Sequence, residues 1–177
     1  MAFVGRSNVG KSTLINALAR ATVARTSGAP GKTRLANLYR LTIEGGPGGP
    51  GRWTVYLADL PGYGYAGGAR ESVAGLARVS EAYFAAPAHR MAGVVHLVDA
   101  RHPDLEADAA AADWLGTLGV ERILVATKID KLSRTERAKN LGQLERKLGM
   151  AAVPVSAAGG EGLDDLWRLI ANLSRQR

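Results

Sequence analysis

Eight consecutive residues, Gly5, Arg6, Ser7, Asn8, Val9, Gly10, Lys11 and Ser12, spell G-x-x-x-x-G-K-S between a short apolar run and a helical pattern. In such a loop the glycines let backbone N–H groups close around phosphate oxygens, the lysine reaches the outer phosphates, and the serine hydroxyl ligates Mg2+. The chemistry implied is the binding of a nucleoside triphosphate. Downstream, Asp59, Leu60, Pro61 and Gly62 close another apolar run, so Asp59 falls at the carboxyl edge of a sheet. There it can hold a water in the magnesium shell while the Gly62 amide faces the γ-phosphate.

Between these motifs lie Pro30, Gly31, Lys32, Thr33, Arg34 and Leu35, and Thr33 is the hydroxyl expected on magnesium in the triphosphate state. Thr22, Thr26 and Thr42 compete by residue type alone; Thr33 is preferred because Pro30 and Gly31 shape its approach. A threonine on a loop that γ-phosphate and Mg2+ order, and hydrolysis releases, makes a switch. The metal set is therefore Ser12, Thr33 and, through water, Asp59, with Lys11 and Thr33 as catalytic groups.

Thr127, Lys128, Ile129 and Asp130 follow a fifth strand pattern and address the base. An ionised Asp130 can accept from guanine N1–H and from its exocyclic amine, a donor pair adenine lacks, so GTP is expected over ATP. The Lys128 stem can lie along the base plane, and Thr127 can tie this turn to the phosphate loop. After the last strand, Val155, Ser156 and Ala157 can offer a backbone amide to guanine O6.

The elements that must position these groups alternate strand and helix. Apolar positions 14, 15 and 18 predict a helix from Lys11 to about Arg20, residues 21–37 a long loop, and residues 38–43 and 53–58 two strands around the Gly/Pro-rich insert 45–51. Residues 93–98, 122–126 and 152–155 are apolar runs suited to strands buried on both faces of a parallel sheet. Ser133 to Glu136 reads as a capping box for a helix to about Leu148 with Gly149 as its stop. Leu163, Leu166, Ile170 and Leu173, with Trp167, repeat at helical spacing and are expected in the core. The fold expected is α/β, three layers, with a mostly parallel central sheet of about six strands and helices on both faces, and residues 1–177 form one domain.

The chain has 177 residues, a net charge of +7 and no cysteine, which excludes disulfides, thiolate zinc sites and cysteine nucleophiles. Residues 1–43 hold seven basic side chains, Arg6, Lys11, Arg20, Arg25, Lys32, Arg34 and Arg40, and no acidic one; beyond them sixteen bases balance sixteen acids. Part of that excess serves a triphosphate site, and the remainder suits a polyanion such as RNA or a solvated basic face. His96 is expected as a satisfied core residue, with His89 and His102 beside loops. No apolar run reaches membrane-spanning length and Met1 to Val4 is no signal peptide, so a cytoplasmic location without a membrane partner is expected.

The stretches 5–16, 30–35, 59–66, 98–102 and 127–132, together covering the order of the whole chain, resemble the EngB-type ribosome-biogenesis GTPases, in the translation-factor-related branch of P-loop GTPases that also contains TrmE, Era, EngA and septins. Asp59 to Ala66 is the most specific of them. The resemblance implies a single G domain that binds GTP/GDP and Mg2+, acts in assembly of the large ribosomal subunit or its precursor, and is needed for normal cell division and septation. A monomer with no DNA partner is expected. The resemblance also implies that relatives usually carry a segment before the first strand, whereas this sequence starts at that strand. Ras-like GTPases place a water-orienting Gln after the Asp-x-x-Gly element; here that position is Tyr63, so slow intrinsic hydrolysis is expected. Related GTPases with Asn at the place of Asn8 coordinate K+ near the β- and γ-phosphates, which makes K+ a candidate cofactor and Asn8 a third catalytic group. The competing reading is an RNA-binding assembly module in which nucleotide is a conformational ligand and turnover is incidental.

Overall fold

The computed structural model describes residues 1–24, 36–44, 51–64, 91–175 and, between the last two stretches, 74, 75, 77, 78, 80, 83 and 84. Arg25, Thr26, the whole of Pro30 to Leu35 with the expected switch hydroxyl of Thr33, the insert residues 45–50, Tyr65, Ala66 and His89 lie outside them.

Six strands form one sheet in the order β2-β3-β1-β4-β5-β6. They are β1 (Ala2–Gly5), β2 (Asn37–Glu44), β3 (Arg52–Asp59), β4 (Val94–Asp99), β5 (Arg122–Thr127) and β6 (Ala152–Val155). All neighbours run parallel except the β2–β3 pair, which is antiparallel over its full length. The connections between them contain α1 (Lys11–Ala19), α2 (Glu106–Thr117) and α3 (Arg134–Leu148), and α4 (Leu163–Arg175) ends the described chain. The expectation of a mostly parallel, helix-covered sheet of about six strands holds.

Side chains alternate across β4 and β5, because successive residues of a strand point to opposite faces. Val95, Leu97, Ile123 and Val125 pack with Phe3 and Leu57 against Leu14, Ile15 and Leu18 of α1 and Leu166 and Ile170 of α4. Val94 joins Ala2, Val4 and Ala58 against Ala111 and Leu115 of α2, while Val98, Leu124 and Ala126 meet Leu144 of α3. Every residue of β4 is buried, as a strand covered on both faces requires. Trp167 packs at the edge of the first cluster and donates from Nε1 to the Leu18 carbonyl at 3.2 Å, so the apolar stripe of α4 is core packing.

Local sequence sets the helix ends. Ser133 accepts from the Glu136 amide and the Glu136 carboxylate takes the Ser133 amide, the reciprocal capping box foreseen, and α3 stops at Gly149. At the other end of α1, Asn16 ties down the chain that leaves the helix. Its Oδ1 accepts from the amides of Val23 (2.9 Å) and Ala24 (2.7 Å), and its Nδ2 donates to the Ala24 carbonyl at 2.8 Å. Ala24 is buried, so an Asn16→Ala variant strands polar backbone there. It should lose about 2 kcal/mol and melt about 4–8 °C lower by calorimetry; a shift below about 1 °C would mean that water replaces all three bonds.

The strand order reverses at β1, which has β3 on one side and β4 on the other. Gly5, Asp59, Asp99, Thr127 and Val155 end their strands at the same carboxyl edge of the sheet. An open α/β sheet presents its ligand crevice at that edge, beside the reversal.

Candidate nucleotide site

The loop from Gly5 to Ser12 leaves β1 and turns into α1 through two left-handed residues, Asn8 (φ 62°) and Gly10 (φ 102°). At φ 102° a side chain is strained, and only glycine enters this helix start without cost. Val9 is buried and pins the loop into the core, while Arg6, Ser7 and Gly10 are half-exposed and Asn8 is exposed. The result is a helix N-terminus whose first amides open toward the strand ends, an arrangement that favours anions.

Lys11 lies inward, with its Nζ 3.0 Å from Asp59 Oδ1, and the Ser12 hydroxyl donates to Asp59 Oδ2 at 3.3 Å. Asp59 is 2% exposed and its Oδ1 accepts no hydrogen bond, so the lysine contact there is an ion pair without hydrogen-bonding alignment. A buried carboxylate with a spare oxygen, beside a serine hydroxyl, is a hard-oxygen set that suits Mg2+. Among the described residues no group of three or more His, Cys, Asp and Glu forms a ready cage. A cation here would complete its shell from phosphate oxygens and water. Leu60 and Pro61 are buried behind Asp59, and Gly62 is half-exposed at the start of the next segment.

The turn after β5 joins this loop directly. The Thr127 hydroxyl proton is shared between the carbonyls of Val9 (2.8 Å) and Val98 (3.0 Å). Lys128 adopts φ 60° and donates from Nζ to the Asn8 carbonyl at 2.6 Å and to Asp99 Oδ2 at 3.0 Å. Thr127 therefore ties the two loops together as its type and place suggested. Asp99 is the group that sequence reasoning left without a role. Burial would raise its pKa, but hydrogen bonds from Arg101 and Lys128 outweigh that and hold the carboxyl at about 2. It stays ionised and fixes the lysine stem beside Gly10, whose missing Cβ would stand 3.8 Å from Lys128 Cε. An Asp that ends a buried strand two residues before an Arg was the available signal.

Asp130 sits in the middle of a short 3-10 turn (Ile129–Lys131) and remains exposed, while Ile129 is buried. Its Oδ1 accepts from the Ser156 hydroxyl at 2.8 Å, and Ser156 Oγ in turn accepts from the Gly159 amide at 2.9 Å. That serine bond, ahead of the neighbouring Lys131 charge, lowers the Asp130 pKa. Ser156 is buried, Val155 is buried and Ala157 is half-exposed, so any ligand contact from Val155 or Ile129 must come from backbone. The structure thus brings Lys11, Ser12 and Asp59 into one cluster and Asp130 and Ser156 into another, joined through Thr127 and Lys128. Tyr63, at the position after Gly62, is buried with its ring turned into the protein.

A family model described as 50S ribosome-binding GTPase matches residues 1–128. The chain is 43% identical over 180 aligned positions to a probable GTP-binding protein EngB of Anaeromyxobacter sp. (strain K), covering 99% of this chain and 82% of that one. Among solved structures, Era in complex with MgGDPNP and nucleotides 1506–1542 of 16S ribosomal RNA matches 97% of this chain with TM-score 0.74 and 23% identity, and this chain spans 55% of it. A probable GTP-binding protein engB matches with TM-score 0.63 and 22% identity over 99% of this chain and 98% of its own. At those identities the two structures speak for the fold. Among the described residues no helix is long and apolar enough to cross a membrane.

Proposed function

The chain belongs to the EngB family of P-loop GTP-binding proteins, and from that premise we propose that it is a GTP-driven switch in assembly of the large ribosomal subunit. Membership makes it a GTP-binding GTPase; the ribosomal step, a slow intrinsic rate, the role in cell division and septation, a cytoplasmic location and a monomeric single G domain are the finer parts of the reading. The observation that carries it is the junction of base turn and phosphate loop, in which Thr127 and Lys128 bind the carbonyls of Val9 and Asn8. A nucleotide that engages Asp130 with its base is thereby offered the phosphate loop in a fixed register.

In this reading the amides of residues 6–12 and Lys11 hold the phosphates, and Gly62 meets the γ-phosphate. Ser12 and Thr33 would ligate Mg2+ with Asp59 holding a water of its shell, and Gly31, Lys32, Arg34 and Leu35 frame the nucleotide. Bound Mg2+ supplies charge neutralisation for the transferring phosphoryl group. Asp130, Lys128 and the backbone at Ser156 and Ala157 select guanine. Support for the ribosomal partner comes from the family description, from the ribosomal RNA bound by Era, and from the seven unbalanced bases of residues 1–43.

The deciding experiment measures GTP and GDP affinity with ATP as competitor, then co-sediments the protein with large ribosomal subunits in each nucleotide state. Guanine-selective binding with GTP-dependent sedimentation is expected. Guanine-selective binding with RNA association that ignores nucleotide and falls steeply with salt would instead establish the RNA-module reading, which the exposed Arg20 and Arg40 favour.

Asn8 stands exposed in the phosphate loop, its carbonyl held by Lys128, and in this reading its side chain takes a monovalent cation at the phosphates. Turnover in KCl should exceed that in NaCl by about tenfold, roughly 1.4 kcal/mol off the barrier. Equal rates in the two salts, with and without ribosomal particles, would leave Asn8 as a loop-shaping residue only.

A further inference from the structure

Tyr63 occupies the place where a water-orienting Gln would stand, yet it is only 2% exposed and its hydroxyl is bound inside the protein. The hydroxyl donates to Asp108 Oδ1 on the first turn of α2 at 2.7 Å and lies 2.9 Å from His96 Nε2 in the middle of β4. A phenol has one proton, and with that proton on Asp108 the imidazole must be the donor, in its neutral Nε2–H tautomer. Burial of His96, which lowers its pKa to about 4, keeps the ring neutral. The three side chains form a chain of donors and acceptors with no redundancy: Asp108 Oδ2 is buried and accepts no hydrogen bond.

The backbone at Tyr63 is held as well. Its carbonyl accepts from the Ser7 amide at 2.9 Å, and Arg6 and Tyr63 form a parallel bridge. Gly62 presses so close to the phosphate loop that a Cβ there would lie 3.0 Å from the Ser7 nitrogen. The residue next to Gly62 is therefore fixed from the loop side by backbone and from the core side by its hydroxyl.

We propose that His96 and Asp108 are positioning residues for the γ-phosphate contact, holding the Gly62 amide at the phosphate loop through the buried hydroxyl of Tyr63. This rests on the reading that the Gly62 amide meets the γ-phosphate. The tyrosine thus replaces the absent Gln with a different service: it anchors the start of the segment that follows Gly62 and leaves water orientation to other groups. Only GTP uses the amide, so loss of the anchor weakens GTP and spares GDP.

The test compares the affinity ratio of a non-hydrolysable GTP analogue to GDP, by fluorescence titration, in the full chain and in Gly62→Ala, Tyr63→Phe, Asp108→Ala and Asp108→Asn. Gly62→Ala, Tyr63→Phe and Asp108→Ala should each lower the ratio by about tenfold, whereas Asp108→Asn, whose carboxamide oxygen still accepts from the phenol, should stay within about twofold. A purely structural network would lower melting temperature and leave the ratio alone. If Gly62→Ala leaves the ratio unchanged, the amide reading fails; if it lowers the ratio while Tyr63→Phe and Asp108→Ala do not, the positioning proposal fails alone. Should Tyr63→Phe not fold, the contrast between Asp108→Ala and Asp108→Asn decides in the same way.

Discussion

Lys11→Ala should bind GTP and GDP about 100-fold more weakly than the parent, a loss of about 2.7 kcal/mol, in line with removal of a charge-assisted contact from a partly dry site. Two effects are folded into such a number, because Lys11 also faces Asp59, which is 2% exposed and has no other charged partner within ion-pair distance among the described residues. Removing one member of a buried pair leaves the other uncompensated, at about 3–5 kcal/mol. The single variant should therefore melt lower as well as bind poorly. Asp59→Asn placed on top of Lys11→Ala removes the orphaned charge while keeping an acceptor for the Ser12 hydroxyl, so the double variant should recover much of the melting temperature. It should not recover nucleotide affinity. A titration in which Lys11→Ala holds GTP as tightly as the parent would remove the phosphate-loop reading, and recovery of affinity in the double variant would mean that Lys11 acts only as the counter-charge of Asp59.

Much of the site was legible because it depends on local spacing. The pattern from Gly5 to Ser12 needs only eight neighbours to define a strand, a turn and a helix start, and the capping box at Ser133 and Glu136 is likewise local. Asp59, Thr127 and Ser156 could be placed because each follows an apolar run, and in a parallel sheet all such runs end at one edge. What could not be read is how buried polar groups pair across the fold. β4 is covered on both faces, so no alternation of polar and apolar residues says which way His96 points. Its direction follows from the register that sets it opposite Val4 of β1, and only with α2 docked does Asp108 reach Tyr63. A lone buried histidine was a sound expectation, but its partners, 33 positions back and 12 ahead, carry no mark in the sequence. The same holds for Asp99, whose value lies in holding Lys128 from the neighbouring strand. Asn16 was visible only as a polar residue on a helix face; its three bonds to Val23 and Ala24 required the chain to turn back.

Asp130→Asn should lower GTP affinity by about 100-fold or more and raise affinity for xanthosine triphosphate. The carboxylate is already oriented: one oxygen takes the Ser156 hydroxyl at 2.8 Å, and the side chain keeps enough exposure to meet a base edge. Guanine presents two donors to it, and a carboxamide can accept only one of them while its amino group confronts the other. Donor facing donor in a site that sheds water is the unmatched arrangement that discriminates most strongly. Xanthine replaces the exocyclic amine with a carbonyl oxygen, which accepts from the new amide, so the mismatch is relieved by the ligand. Fold should be little affected, because the asparagine oxygen still accepts from Ser156 and no buried charge is created or removed. The measurement is competition of GTP, xanthosine triphosphate and ATP against a fluorescent GDP analogue on parent and variant. A variant that keeps guanine preference would place the base elsewhere than at Asp130. A variant that loses GTP without gaining the xanthine nucleotide would show that the carboxylate's charge, more than its pattern of acceptors, governs selection.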